Sequence, residues 1–247
     1  MSLMRKLFLA GLPFLLLPLF GAVDIPTVNL SLSAPAEPKD LVNTLNIVIV
    51  LTLLVLAPSL ILVMTSFLRL IVVFAFLRQA LGTQQTPPTQ LLVSLALVLT
   101  LFIMEPMGKE AYDKGIKPYM DKKIGYEVAF DNAVRPFKHF MLRNTRESDL
   151  ALFYRIRKLP NPATEEDVTL PVLLPAFMIS ELKTAFEIGF LIFLPFLVVD
   201  MVVSSVLMSM GMMMLPPVMI SLPFKILIFV LVDGWHLLVG NLVESFK

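Results

Sequence analysis

The sequence predicts an all-α membrane protein with two long helical hairpins and a charged helical insertion between them. Three observations carry this. Of its 247 residues, 57% are hydrophobic and 16% charged, and the mean hydropathy is +0.84. That is too apolar for a soluble domain of average composition. The apolar residues fall in long runs, and residues 41–68 contain no charge at all, enough for a tilted membrane span. More than half of the charges lie in residues 107–167, with both signs mixed.

Composition also sets exclusions. The net charge of +1 gives no electrostatic case for nucleic acid. With no cysteine, neither disulfides nor thiolate metal sites are available. His139 and His236 are far apart, and no ligand spacing links them. No nucleophile–base pair, phosphate loop or metal constellation stands out, so nothing supports an enzyme or calls for a cofactor.

Taken in order, residues 1–22 read as a signal peptide. Arg5 and Lys6 form the positive end, and residues 7–20 the apolar stretch. Gly21 and Ala22 are small, but no A-x-A pattern marks a cleavage site, so retention as a short anchor is the alternative. Residues 23–40, with Pro26, Pro35 and Pro38, form an extended arm. Residues 41–106 form the first hairpin. Its leading helix runs on past Pro58, where a kink is expected, through Arg69 to Arg78, with Arg69 inside a bundle. The polar turn 81–90 and the uncharged run 91–104 complete it.

The insertion, residues 107–167, is water-exposed and helical. Glu110, Asp113, Lys114 and Lys117 have helical spacing, and so does the apolar stripe Phe130, Val134, Phe137, Phe140 and Met141. The stripe can pack on itself, the default expectation, or on a neighbour. Residues 168–247 form the second hairpin, broken by a Met-rich turn. Its apolar runs carry Glu181, Lys183, Glu187, Asp200, Lys225 and Asp233. Each Asp or Lys costs about 2.5–3.5 kcal/mol at the centre of an inserted helix, so these segments face protein, water or one another. Arg69, Glu187, Asp200 and Asp233 are candidate buried charges. Glu181 and Lys225, on neighbouring segments, are the expected ion pair, with snorkelling of Lys225 as the rival. So many charges exceed the partners expected within one chain, which calls for further copies.

By charge distribution Arg5 and Lys6 hold the N-terminus inside. After cleavage the first long helix runs inward, both hairpin turns lie on the cytoplasmic side, and the insertion lies outside.

The turn at Met208-Ser-Met-Gly-Met-Met-Met-Leu-Pro-Pro217 concentrates five of the fifteen methionines within seven residues. Methionine is unbranched and polarizable and re-packs against varied shapes. A deformable seal and ordinary apolar filling both fit the cluster. A Cu(I) site from the thioethers of Met208, Met210 and Met212 is a third reading, which no cysteine or nearby histidine supports. The two turns share a spacing, Gly82-x4-Pro87-Pro88 and Gly211-x4-Pro216-Pro217. This predicts two hairpins of similar shape with tips at one level.

Three stretches resemble a known family: Pro175-Ala-Phe-Met-Ile-Ser-Glu-Leu-Lys-Thr-Ala-Phe-Glu-Ile-Gly-Phe190, Pro223-Phe-Lys-Ile-Leu-Ile-Phe-Val-Leu-Val-Asp-Gly-Trp235 and Met212-Met-Met-Leu-Pro-Pro217. They look like the FliP family of flagellar biosynthetic proteins, part of the type III secretion export gate, and the resemblance covers essentially the whole chain. It implies a non-enzymatic pore subunit in the bacterial inner membrane, at the flagellar basal body. It further implies a helical pore oligomer of about five copies around one axis, joined by FliQ and FliR, with FlhA and FlhB in the wider apparatus. Unfolded flagellar subunits would pass through, driven largely by proton-motive force. The family's helices pack into a raised cone, and its methionine gasket matches Met212, Met213 and Met214. Gly211, Pro216 and Pro217 would shape the gate turn. Two other readings stand beside this one. A solute transporter would also have broken helices and intramembrane charges, and a structural assembly factor of the basal body would need no pore.

Overall fold

The computed structural model describes residues 38–83, 85–160, 162–212 and 216–246, and among these the regular structure is helical. The chain divides into two compact units, Met1–Val50 and Leu51–Lys247. The expected signal peptide, residues 1–22, and residues 23–37 of the expected extended arm lie outside the described residues, and the arm's last residues, 38–40, are already helical.

Helix α1, Pro38–Val63, is continuous through Pro58. From Leu51 onward the chain belongs to the second unit. The expected single helix through residues 41–78 is broken, because the chain turns at residues 64–66 before α2, Phe67–Ala80. The Thr65 hydroxyl donates to the Leu62 carbonyl at 2.7 Å and accepts from the Phe67 N–H at 3.4 Å. A side chain that bonds its own backbone in this way competes with the helical ladder.

After the first turn, α3 spans Thr89–Ala111 and continues through a π-helical segment, Tyr112–Ile116, into α4, Lys117–Met120. Gly115 sits in the π segment, where a Cβ would lie 2.8 Å from the Ala129 carbonyl and the Ala133 backbone. The bulge and the glycine together let α5, Tyr126–Arg143, approach closely. Helix α6, Glu147–Ile156, follows, and then a 3-10 turn, Glu165–Asp167. Asp167 accepts from the Thr164 hydroxyl and N–H, and these bonds hold its carboxyl below the usual range.

The insertion's stripe does not pack mainly on itself. Phe140 and Met141 are fully buried against Leu173 and Phe177 of α7, Leu170–Ser209, and against Met104 of α3. Phe130 stays exposed. Glu110 and Lys114 pair at 2.7 Å on the exposed face.

The core centres on α2 and α7. Leu70, Val73 and Phe74 of α2 are fully buried with Leu92 and Ala96 of α3, Ala185 of α7 and Leu242 of α9, Gly234–Glu244. Each such large side chain contributes about 1.5–3 kcal/mol of burial. A Cβ on Gly189 would fall 2.6 Å from the Phe76 ring, so glycine sets how closely the two helices approach. Contacts pair residue 69 with 181 and 76 with 189, so α2 and α7 run parallel. Helix α8, Pro217–Leu231, returns along α7, and α9 follows after a 63° bend.

Three helical stretches are long and apolar enough to cross a membrane, Leu45–Val63, Thr89–Met120 and Leu170–Ser209, and α8 with α9 makes a fourth if the bent pair is one span. The protein is thus an all-helical membrane protein, as its composition requires.

Candidate functional site

The site is built from three features that the α2–α7 pair brings into line: two buried ion-pair clusters and a methionine-bearing turn.

The first cluster centres on Arg69, 3% exposed in the middle of the helical packing. Its Nε–H donates to Glu181 Oε2 at 2.8 Å, and one Nη2 hydrogen goes to Glu181 Oε1. Nη2 also donates to Asn144 Oδ1 at 3.1 Å, where α5 ends. Nη1 donates to the Ser245 carbonyl at 3.1 Å and to its hydroxyl at 2.9 Å. That uses all five hydrogens of the guanidinium. Its face lies 3.8 Å from the centre of the Phe246 ring, which stacks on Phe140 at 5.9 Å. One planar cation thus joins α2, α7, the end of α5 and the segment after α9. Glu181, wholly buried, is tolerable there because its charge is met by a forked pair.

Beside it, the turn between α5 and α6 docks on the outer side of α7. The Arg146 N–H donates to the Ser180 hydroxyl at 3.0 Å, which donates to Asp149 at 2.7 Å. The Arg146 guanidinium reaches Glu187 at 2.7 Å.

The second cluster lies where α2 ends. Lys225 of α8 has a side chain 4% exposed and donates to Asp200 Oδ2 at 2.7 Å and to the Ala80 carbonyl at 3.1 Å. A cation at a helix C-terminus also meets the negative end of the helix dipole. The Ser221 hydroxyl donates to the other Asp200 oxygen at 2.5 Å.

The third feature is the turn after α7. Gly211 has φ +76° and Gly82 has φ +77°. Each N–H bonds the carbonyl three residues back, Met208 and Gln79 respectively, at 3.0 Å. In the second turn the Met212 N–H closes on the Leu207 carbonyl at 3.0 Å. At the matching place in the first, the Thr83 hydroxyl closes on the Arg78 carbonyl at 3.2 Å. Both turns are helix ends that need a left-handed residue, which glycine supplies without strain. The shared spacing therefore reflects a shared backbone, and α3 and α8 both begin at its second proline or just after it.

A Cβ at Gly82 would lie 3.5 Å from Val218, the second residue of α8, so the first turn abuts the helix that leaves the second. Lys225 ties Ala80, at the end of α2, to Asp200, and α7 runs nine residues further to Ser209, where the second turn begins. Met208, Met210 and Met212 are exposed there, at 60%, 61% and 41%. Met213 and Met214 lie outside the described residues. Pro216 precedes α8, and Pro217 is its first residue.

The expected Glu181–Lys225 pair is not formed within the chain, because each residue has another partner: Arg69 for Glu181 and Asp200 for Lys225. The two clusters sit at different heights along α7, 19 residues apart by number, so neighbouring segments did not mean neighbouring side chains. Arg69 is buried as expected. Glu187 is exposed and held by Arg146, and Asp200 is half-buried. Asp233 is exposed, with φ +50° at the bend before α9, and its side chain has no partner among the described residues. Most charges in the second hairpin therefore find partners within one chain, more than the sequence suggested. Asn144, Ser245, Ser180, Ser221 and Arg146 were not singled out from sequence. Small polar residues at helix ends and beside charges were the available signal.

The FliP family profile matches residues 50–242. The flagellar biosynthetic protein FliP of Bacillus subtilis (strain 168) is 51% identical over 217 residues, covering 88% of this chain and 98% of that protein. The protein of the same name from Caulobacter vibrioides is 52% identical over 227 residues, covering 92% of this chain and 85% of that protein. That from Aquifex aeolicus (strain VF5) is 48% identical over 226 residues, covering 91% and 93%.

Proposed function

This chain belongs to the FliP family, and from that premise we propose that it is a pore subunit of the flagellar protein export gate in the bacterial inner membrane. Family membership places it in the flagellar export apparatus, in a membrane-associated complex, and outside any known enzyme family. Several copies, with FliQ and FliR, enclose one path for unfolded flagellar subunits, and FlhA and FlhB act beside them. The turn 211–217 of each copy closes that path at rest.

The observation that carries this reading is the exposed methionine tip. A solvent-facing row of large apolar side chains at the end of a 40-residue helix is unfavourable in an isolated chain and favourable where copies meet. A ring of thioethers blocks ions, because an entering ion must shed water and finds no oxygen ligands in exchange. It yields to a passing polypeptide, because methionine has three rotatable side-chain bonds and no branch. The left-handed Gly211 and the two prolines would fix where the flexible side chains hang.

Trimming Met212, Met213 and Met214 to Ala should leave the complex assembled but raise the resting leak of small ions, and Leu at the three positions should seal better than Ala. The measurement is ion leak in cells expressing each variant, beside the size of the extracted complex. An assembled triple-Ala variant with unchanged leak would place the seal elsewhere.

A further inference from the structure

The charged insertion carries two surface features of opposite character. The first is a knob at the end of α6. Arg155, Arg157 and Lys158 are exposed there, and among the described residues none of their side chains has an ion-pair or hydrogen-bond partner. Ile156 and Leu159 stand beside them, 62% and 42% exposed. The knob has a fixed shape. The Lys158 N–H bonds the Arg155 carbonyl at 3.1 Å, and the Leu159 N–H bonds the Tyr154 carbonyl at 3.0 Å. This helix ending needs a left-handed residue, most often glycine, and here Lys158 takes it at φ +53°.

The second is a groove of about 360 Å³ between α5 and residues 165–170. Val134, Leu142 and Leu170 give it an apolar lining. Phe130, 52% exposed at its rim, extends that lining to Tyr126, whose ring stacks on it at 6.3 Å. Four carboxylates, Asp131, Glu165, Glu166 and Asp167, face two cations, Arg135 and Lys138, so with His139 neutral the groove is two charges negative. Lys138 is engaged by the Glu166 carbonyl at 2.6 Å, and Arg135 stands 4.0 Å from the Glu166 carboxylate. Asp131 and Glu165 have no cation in ion-pair contact among the described residues.

Both features lie towards the same end of α7. Arg146 reaches Glu187, Asp149 meets Ser180 and Leu150 packs by Leu173 and Phe177, so α6 runs antiparallel to α7 and ends towards its first residues. The groove includes Val168, Thr169 and Leu170, where α7 begins. Exposed ion pairs on the insertion, such as Glu110–Lys114, mark a water-facing surface. Water can satisfy the charges of knob and groove, but it leaves Ile156, Leu159 and Phe130 uncovered. We propose that the 155–159 knob of one copy seats in the α5 groove of the next. Ile156 and Leu159 meet the apolar lining, and the three cations meet Asp131, Glu165 and Glu166. Three positive charges against a groove two charges negative is the complementarity that selects a second copy as the occupant. The two patches differ, so the contact is head-to-tail, the kind that builds a ring when its rotation closes. The inference rests on the reading that several copies surround one path, and it names a contact between them.

The chain has no native cysteine, so the test can be made in the assembled complex. Pro160→Cys, beside the knob, and Thr169→Cys, at the groove, are both at exposed positions and leave the proposed contacts intact. The two are made in separate chains and co-expressed in cells, and a short bis-maleimide is added to the extracted complex. We expect a cross-linked dimer when both chains are present and none from either variant alone. Assembled complex without that product, or the same product from one variant alone, would overturn the contact. Charge reversal is the second measurement. Arg155→Glu with Arg157→Glu on the Pro160→Cys chain, or Glu165→Lys with Glu166→Lys on the Thr169→Cys chain, should each lower the cross-linked fraction at least about fivefold, and the two reversals together should restore it. An unchanged fraction in the single reversals, or no recovery in the combination, would also overturn it. Where the cysteine chains do not accumulate, the reversals alone are read as the yield of intact complex, with the same fall and recovery expected. A raised leak in the methionine variants without a cross-link would sink this contact and leave the gate standing, and a cross-link with unchanged leak would do the opposite.

Discussion

The two buried ion-pair clusters answer one problem, a charge among apolar helices, in different ways. Around Arg69 every donor is used, and the acceptors come from α2's neighbours on three sides. Around Lys225 the partners are one carboxylate and one helix-end carbonyl, and Asp200 remains 26% exposed at its side chain. The difference arises from the two side chains. A planar fork suits a fixed joint, and a flexible ammonium tolerates movement of its partners. Arg69 sits at the height where the insertion meets the hairpins. Lys225 sits beyond the end of α2, where α7 and α8 continue as a pair towards the methionine turn. The stiff joint is thus at the base and the compliant one beneath the tip.

Breaking the stiff joint should have the largest effect. Arg69→Leu leaves Glu181 buried and unpaired, at a cost of about 3–5 kcal/mol, and should abolish recovery of folded protein or lower its unfolding midpoint sharply in detergent. Arg69→Leu with Glu181→Met removes both charges and should recover much of the loss. If the double variant is no better than the single one, the pairing is not what makes Arg69 necessary. The compliant joint should be more forgiving. Asp200→Asn keeps an acceptor for Lys225 and leaves the Ala80 bond in place, so about 1–3 kcal/mol is expected, read as a smaller shift of the same midpoint. A loss equal to that of Arg69→Leu would erase the distinction between the stiff joint and the compliant one. The smallest effect tests the two turns. Gly82→Ala and Gly211→Ala each place a Cβ on a left-handed residue at about 1–2 kcal/mol. A Cβ at Gly82 would lie 3.5 Å from Val218, ordinary contact, and at Gly211 it would meet nothing within 4 Å. The two should therefore fall by similar amounts, and unequal losses would show that the turns are not equivalent.

Much of this architecture was legible in the sequence, and the rest was hidden for physical reasons. Long uncharged runs gave the helices, and the Gly-x4-Pro-Pro spacing gave two turns of one kind because left-handed φ and proline leave few alternatives. The break at residues 64–66 was missed because apolar composition hides a threonine, Thr65, whose hydroxyl competes locally with the helical ladder. The α2–α7 register was missed because a close approach at Gly189 sets it and no local pattern encodes it. The partner of Glu181 was missed for the same reason. Arg69 is 112 residues away in sequence, and only parallel packing makes them neighbours. Of the gate turn, Gly211, Met212, Pro216 and Pro217 have described positions, whereas the seal depends on copies that one chain does not contain.

The Arg69 cluster also has a history within each round of synthesis. Its acceptors are made 112 residues later at Glu181 and 176 residues later at Ser245. At about 5–20 residues per second, the guanidinium waits on the order of ten to thirty seconds for its last partner. Until then the helix that carries it has no settled place among its neighbours, and the joint cannot lock in an order that follows the chain. The base of the molecule is therefore finished late, by residues that arrive after nearly every helix has been made, and a chain interrupted short of them lacks the acceptors that Ser245 gives Arg69.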